Sequence, residues 1–306
     1  MDMEFANSTK TFDYDLDSII DTTPYTMEIV ISSVLLYIGV CTNIWMIRSL
    51  YKSWKTGSKM HFYLLGICLA DLLGLCFSSG VSIGMSATIV WRGGYYGCKF
   101  FVGFQMFGAT VSHLILAGFN IDNLFTIACA RSIKALRIIF LLLSFATTFI
   151  ISGVKVYFYH LISWAESKAT YCVLDSADTY LIVLFVDMVI YFLLPFLMML
   201  LFGLPSLFVW CCKKGTISYE KMTGDDDSST DVQFIGRDIG IMMAYDVLFL
   251  LCNAPFNVNY WLFGSDLIIV YTVLGYLETA NACLNPIIYA IFNCIGRRKE
   301  RTSPGL

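Results

Sequence analysis

Long apolar stretches alternate with short polar segments along the chain. Seven of these stretches occupy residues 29–50, 60–84, 99–130, 136–158, 179–210, 236–262 and 267–292. About 20 apolar residues let a helix cross the hydrocarbon core of a bilayer. The pattern therefore predicts an all-α membrane protein, in which seven transmembrane helices form one bundle.

Three regions follow from this pattern. Residues 1–28 are predicted as an acidic extracellular tail, residues 29–292 as the bundle, and residues 293–306 as a short cytoplasmic tail. Residues 1–24 are polar and acidic and lack the apolar core of a signal peptide. We expect the first helix to act as its own signal anchor.

Composition and charge agree with a membrane domain. Of the 306 residues, 58% are hydrophobic and 14% are charged, whereas soluble domains have roughly 45–50% and about 25%. An extracellular N-terminus would place 15 of the 20 Lys and Arg residues in inner loops and the inner tail. The excess of positive charge on cytoplasmic loops therefore predicts an outer N-terminus and an inner C-terminus.

This topology separates the eleven cysteines. Only Cys98 and Cys172 reach the oxidising outer side, where disulfides persist, so we predict that they pair. The bond would fold the loop after helix 4 over the mouth of the bundle. The single glycosylation sequon begins at Asn7 on the tail.

Ionisable residues inside spans are costly in hydrocarbon and mark functional sites. They are Asp71, Asp122, Asp187, Asp246 and Glu278. The spacing of Glu278, Asn281 and Asn285 places them on one helix face, and Gln105 and Ser112 share a face likewise. Hydrogen bonding between helices is the alternative role for each of these residues.

No enzyme chemistry is predicted. The three histidines, His61, His113 and His160, show no metal-ligand spacing, and the chain has no glycine-rich phosphate loop. No nucleic-acid partner is predicted, and membrane lipid surrounds the bundle.

Several motifs occur in a fixed order along these spans. Helix 7 reads Asn285-Pro286-Ile287-Ile288-Tyr289. The others are Asn43, Leu69-Ala70-Asp71, Trp91 with Gly94 and Cys98, Pro195, Phe249, and Cys252 with Pro255. In order and spacing the chain resembles the rhodopsin-like (class A) G-protein-coupled receptors over all seven helices.

The resemblance implies roles for individual residues. Asp71, Ser112, Asn281 and Asn285 match a pocket that holds a regulatory sodium ion, and no other cofactor is implied. Residues that match activation and coupling positions are Asp122, Asn123, Phe249, Pro255, Asn285, Pro286 and Tyr289. The implied partners are a heterotrimeric G protein and arrestin, and the implied location is the plasma membrane.

Several positions depart from the family pattern. Asp122-Asn123-Leu124 stands where the family has an acid, an arginine and a tyrosine, so Asn123 replaces the arginine that contacts the G protein. Asn253 replaces the tryptophan two residues before Pro255, and Gly203 replaces a tyrosine of helix 5. These departures leave G-protein signalling and ligand sequestration as alternatives.

The tail adds a resemblance to chemokine receptors. Residues 11–17 resemble acidic, tyrosine-sulfated segments that bind basic chemokines. The ligand-binding residues expected on this basis are Asp13, Tyr14, Asp15 and Asp17 in the tail and Gln105, Asp187, Phe256, Tyr260 and Glu278 in the pocket. The chain lacks cysteines for the second extracellular disulfide of that group, and its compactness suggests a viral homologue in a host-cell membrane.

Two other functions remain open. A transporter would use Asp71, Asp187, Asp246 and Glu278 as an ion or proton path. A ligand-independent partner protein would modulate other receptors or their trafficking. An opsin is disfavoured because helix 7 has no lysine for a retinal Schiff base.

Overall fold

The computed structural model describes residues 23–52, 59–88, 91–129, 134–163, 170–174, 176–222, 229–263 and 268–302. These residues form seven long helices and one β-hairpin. The helices are α1 (Thr23–Lys52), α2 (Lys59–Thr88), α3 (Gly94–Gly97, Cys98–Val102 and Phe107–Cys129), α4 (Lys134–Phe158), α5 (Ala177–Asp187 through Leu204–Met222), α6 (Ser229–Phe263) and α7 (Ile268–Thr302). The hairpin strands are β1 (Tyr159–Ser163) and β2 (Thr170–Leu174).

The prediction of a seven-helix membrane bundle is confirmed. Within the described residues, α1 to α6 each contain a segment long and apolar enough to cross a membrane. α7 packs against α1, α2 and α6 and completes the bundle. Several helices expose large apolar side chains on the outside of the bundle, for example Tyr37, Leu142 and Phe208. An apolar outer surface of this kind suits contact with lipid.

The helices extend beyond the apolar stretches that predicted them. α1 begins at Thr23, so residues 23–28 belong to a helix although the sequence assigned them to the tail. α7 continues to Thr302, past the predicted boundary at residue 292. Hydropathy marks the part of a helix that lies in hydrocarbon, whereas backbone hydrogen bonding continues into polar residues at both ends.

α3 is the central helix of the bundle. It contacts α2, α4, α5 and α6. α2 and α3 cross closely because Gly74 and Gly108 face each other, and a Cβ added to Gly108 would lie 2.0 Å from the Gly74 nitrogen. Small residues allow such close helix crossings in membranes, where association depends on packing.

α3 and α5 are not regular helices throughout. Cys98–Val102 in α3 and both Met188–Leu193 and Met199–Gly203 in α5 are π-helical. Pro195 follows the first π-helical segment of α5, and a proline removes a backbone donor from the helix. These local changes of pitch rotate the side chains that follow them and therefore decide which residues face the interior.

The hairpin closes one end of the bundle, which we call the hairpin end. β1 and β2 pair antiparallel, with Leu161 opposite Cys172. Cys172 forms the predicted disulfide with Cys98 at the start of α3. The hairpin therefore lies over the bundle, as the sequence predicted for the loop after helix 4.

Trp91 and Gly94 support the same end. The Trp91 backbone N–H donates to the Thr170 carbonyl at 2.8 Å, and its indole N–H donates to the Gly94 carbonyl at 2.8 Å. Gly94 has a φ of +66°, in the left-handed region that favours glycine. These contacts give a physical reason for the tryptophan and glycine of the motif.

Candidate functional site

A cavity of about 380 Å³ opens at the hairpin end, and we call it the main cavity. Residues of all seven helices and of the hairpin line it. Four of the five predicted pocket residues are in the lining: Gln105, Asp187, Phe256 and Glu278. Tyr260 lies on α6, but its side chain falls outside the described part of the structure.

The predicted tail residues Asp13, Tyr14, Asp15 and Asp17 and the predicted glycosylation site Asn7 lie outside the described residues.

Charge is unevenly distributed around the main cavity. The ammonium of Lys155 on α4 pairs with the carboxylate of Asp187 on α5 at 2.5 Å. On the other side, Glu28 of α1 and Glu278 of α7 line the cavity, and neither forms an ion pair with any described residue. The wall formed by α4 and α5 is therefore neutral, whereas the wall formed by α1 and α7 is acidic.

A smaller cavity of about 60 Å³, the deep cavity, continues towards the middle of the bundle. Gln105, Tyr191 and Glu278 line both cavities, and Asp71 lines only the deep cavity. A polar path therefore connects the ligand-sized space with the buried carboxylate of α2.

Asp71 is the centre of the predicted sodium pocket. Its side chain is buried, and Asn285 Nδ2 donates to Asp71 Oδ2 at 2.8 Å. Ser112 also forms a side-chain hydrogen bond with Asp71. Asn281 lines the deep cavity, and its buried Oδ1 has no hydrogen-bond partner within the described structure. One carboxylate, one hydroxyl and an unpartnered amide oxygen are the kinds of ligand that a hard cation takes.

His113 connects this pocket to the rest of the core. Its Nε2 lies 3.3 Å from Asn281 Nδ2, and its Nδ1 lies 3.2 Å from the Tyr191 carbonyl oxygen. The imidazole packs 4.6 Å from the ring of Phe249, an expected activation residue. His113 thus joins α3 to α5, α6 and α7.

Asn253 is also part of a polar connection. Its Oδ1 accepts a 2.7 Å hydrogen bond from the Tyr191 hydroxyl. Asn257, one turn further along α6, donates through Nδ2 to the Asn253 carbonyl at 2.9 Å and to Glu278 Oε1 at 3.3 Å. The residue that replaces the family tryptophan therefore takes part in hydrogen bonds between helices.

The end opposite the hairpin contains the departure at Asn123. Arg137 Nε of α4 contacts Asp122 Oδ2 at 3.1 Å. Asn123 Nδ2 donates to the Met242 sulfur of α6 at 3.0 Å. An arginine from the neighbouring helix therefore pairs with the acid of α3.

The helix 7 motif lies beside these residues. The hydroxyl of Tyr245 on α6 donates to the Asn285 carbonyl at 2.8 Å. Tyr289 is buried, and its ring lies 6.3 Å from that of Trp45. Pro286 lies inside α7 and Pro255 inside α6. Of the residues matched to activation positions, Asn123 thus contacts α6, Asn285 contacts α2 and α6, Asp122 contacts α4, and Tyr289 lies beside α1.

Four side chains make contacts between helices that the sequence did not predict. They are His113, Lys155, Arg137 and Asn120, whose Nδ2 donates to Asp246 Oδ1 of α6 at 2.9 Å. Lys155 did carry a signal, because a lysine within an apolar stretch needs a partner. Arg137 lies at the start of its apolar stretch, where a basic residue is ordinary at an inner helix end, and Asn120 is uncharged, so neither residue indicated a partner.

The chain as a whole is similar to one family of known proteins. Residues 42–289 match the sequence model of the family described as 7 transmembrane receptor (rhodopsin family). The match runs from α1 to the tyrosine of the helix 7 motif and covers more than half of the chain. No match is found among the curated proteins.

Proposed function

Since this chain belongs to the rhodopsin family of seven-transmembrane receptors, we propose that it is a plasma-membrane receptor for a basic extracellular protein, a chemokine or a peptide. The ligand would bind through the acidic tail and the main cavity. In this proposal the receptor passes the signal to a heterotrimeric G protein, and arrestin binds the same active state.

The proposal places the hairpin end outside the cell. The disulfide between Cys98 and Cys172 supports this orientation, because such bonds persist in oxidising compartments. The distribution of Lys and Arg supports it as well. A viral origin, which the sequence suggested, would place the receptor in a host-cell membrane.

The charge of the main cavity is the observation that carries the proposal. Glu28 and Glu278 form an acidic wall without an ion pair, whereas Lys155 neutralises Asp187. Only a small part of a protein would fit within about 380 Å³. The cavity therefore suits a cationic end of a ligand whose main body stays outside.

The tail would supply the remaining affinity. Six acidic residues and one lysine occur in the first 24 positions. Such a segment attracts a basic protein over about a Debye length. Asp13, Tyr14, Asp15 and Asp17 are the proposed contacts.

A sodium ion fits the residues around Asp71. Asp71, Ser112, Asn281 and Asn285 would hold it, because they offer a carboxylate and neutral oxygens in one buried place. When bound, the ion supplies a positive charge that stabilises the inactive arrangement.

Signalling would follow from a shift in populations. A ligand that binds better to an open arrangement increases its share. In the open arrangement α6 moves away from α3 at the end opposite the hairpin, with Pro255 as a pivot. Asn123 in place of arginine makes ligand sequestration the alternative outcome of the same binding event.

Binding of a labelled chemokine panel to intact cells tests the proposal. The full chain, a form lacking residues 1–24, and Glu278→Gln are compared, with surface amounts measured by an antibody tag. Saturable binding that falls at least tenfold in affinity without the tail, and again with Glu278→Gln, supports the proposal.

Lack of binding by every chemokine would overturn it in favour of the ligand-independent partner protein. The transporter alternative has less support, because Asp246 lines neither of the two cavities described above. Substrate flux through the parent protein, abolished by Asp71→Asn, would instead support the transporter alternative.

A further inference from the structure

Asp246 on α6 is a buried acid that the proposed ligand path does not use. Its Oδ1 accepts a 2.9 Å hydrogen bond from Asn120 Nδ2 of α3. Both side chains are buried, with exposures of 5% for Asp246 and 0% for Asn120. We propose that Asn120, Asp246 and Gly203 form an α3–α6 latch that holds the two helices together and opens when they separate.

The hydrogen bond is the main reason for the latch to stay closed. Asn120 Nδ2 also donates to the Leu116 carbonyl of its own helix at 3.0 Å, which fixes the amide towards α6. An acidic group that loses its partner in the membrane interior carries a large desolvation cost. Separation of α3 from α6 therefore requires water or another donor to reach Asp246.

Gly203 makes room for the pair. It is buried at the end of the π-helical segment Met199–Gly203 of α5. A Cβ added to Gly203 would lie 2.4 Å from Asn120 Oδ1 and 3.1 Å from Asp246 Oδ2. α5 thus covers the pair with backbone, and any side chain at this position would displace it.

A second contact joins α3 to α6 one helical turn away from the hydrogen bond between Asn120 and Asp246. Asn123 donates to the Met242 sulfur at 3.0 Å. Asn120 and Asn123 are three residues apart on α3, and Met242 and Asp246 are four apart on α6, so the two contacts follow the facing sides of both helices. The bond to the acid is the stronger of the two, because thioether sulfur is a weak acceptor.

The latch rests on the proposed function in one respect, since it regulates the α6 movement that signalling requires. It also explains why an acid occurs in α6 within a receptor. A ligand that opens the receptor must overcome this bond, and a variant without the bond would open without ligand.

The test measures the separation of α3 and α6 directly. Spin labels are attached to cysteines introduced at Phe125 and Val247, which are exposed on α3 and α6, after the reactive free cysteines are replaced by serine. Distance distributions are recorded on the purified protein in lipid nanodiscs without ligand or G protein.

Asn120→Ala and Asp246→Ala are each expected to add a longer-distance population and to shift the open-to-closed ratio roughly tenfold. The double variant is expected to shift the ratio no further than the larger single variant, because both changes remove the same bond. Asp246→Asn keeps an acceptor oxygen and is expected to retain the parent distribution.

Gly203→Ala is expected to produce the same longer distances. Gly153→Ala is its matched control, because a Cβ at Gly153 meets no atom within 4 Å. If Asp246→Ala does not fold, Asn120→Ala and Asp246→Asn still separate a broken bond from a retained one.

Parent-like distances in Asn120→Ala and Gly203→Ala would overturn the latch, as would independent effects that multiply in the double variant. This outcome is separate from ligand binding. Shifted distances with no chemokine binding would retain the latch and reject the proposed ligand.

Discussion

At the scale of single residues, Asp122 shows how a lost motif is replaced. The acid is almost fully buried, and Arg137 of α4 contacts it at 3.1 Å with only 11% of its own side chain exposed. Lys59 and Asp238 interact electrostatically with the same region. The charge of Asp122 is therefore balanced from a neighbouring helix, and Asn123 is left to contact α6.

Removal of Arg137 tests this balance. Arg137→Ala leaves a buried carboxylate without its partner and is expected to reduce the free energy of unfolding by roughly 3 kcal/mol. Thermal unfolding of the purified receptor in detergent measures the loss. Arg48→Ala, which removes an exposed arginine of α1, is the control and should behave like the parent. An equal loss in both variants would contradict a specific role for Arg137.

The positions of the acids within the helices were predictable, but most of their partners were not. Asp71, Asp122, Asp187, Asp246 and Glu278 stand out as charges within apolar stretches. The partner of each depends on the rotation of one helix against another, and the π-helical segments of α5 change that rotation locally. Periodicity within one helix contains no information on this rotation.

At the scale of elements, the hairpin and α3 form one connected unit. The disulfide joins β2 to the first π-helical turn of α3, and Thr170 exchanges two hydrogen bonds with Trp91. The hairpin residues Tyr159 and Leu174 line the main cavity. The position of this wall therefore depends on the covalent bond to α3.

Loss of the disulfide should free the hairpin from α3, so that the hairpin residues no longer hold their positions in the lining of the main cavity. Closing a loop of 74 residues stabilises a protein by about 4 kcal/mol on entropic grounds. Cys98→Ser and Cys172→Ser are expected to lose surface expression or ligand binding to the same extent, and the double variant should be no worse. Flow cytometry and binding to cells measure both. Cys76→Ser is the control, and a matching loss there would contradict the expectation.

The helices were readily predicted, whereas the hairpin was not. Seven apolar stretches gave the number and order of the helices, and topology gave the disulfide. β1 and β2 are only five residues each, and they form against the end of α3 rather than from a pattern of their own. Strands of this length depend on tertiary context.

At the scale of the whole molecule, the two cavities share lining residues, so the proposed ligand and the proposed cation would lie along one path. Glu278 lines both cavities, and Asp71 lines the deep one. His113 and Asn281 connect the deep cavity with α5 and α6. Because the two cavities share lining residues, binding of the proposed ligand in the main cavity is expected to change cation binding near Asp71. Such coupling is reciprocal, so the cation would change ligand affinity by the same factor.

Sodium should stabilise the folded receptor through Asp71. Replacing choline by sodium at ten times the sodium Kd is expected to add about 1.4 kcal/mol, measured by thermal unfolding at constant ionic strength. Asp71→Asn should abolish the sodium effect, whereas Asp246→Asn should retain it. An effect that survives in Asp71→Asn would place the cation elsewhere.

The pairing of Lys155 with Asp187 constrains the evolution of the gene. Mutation of either codon alone leaves one charge without its partner between α4 and α5, so selection acts against single changes and tolerates paired ones. Among homologous sequences we expect the two positions to covary, either losing both charges or exchanging them. Correlated substitutions at these two positions, rather than conservation of either residue alone, would then show that the ion pair is under selection.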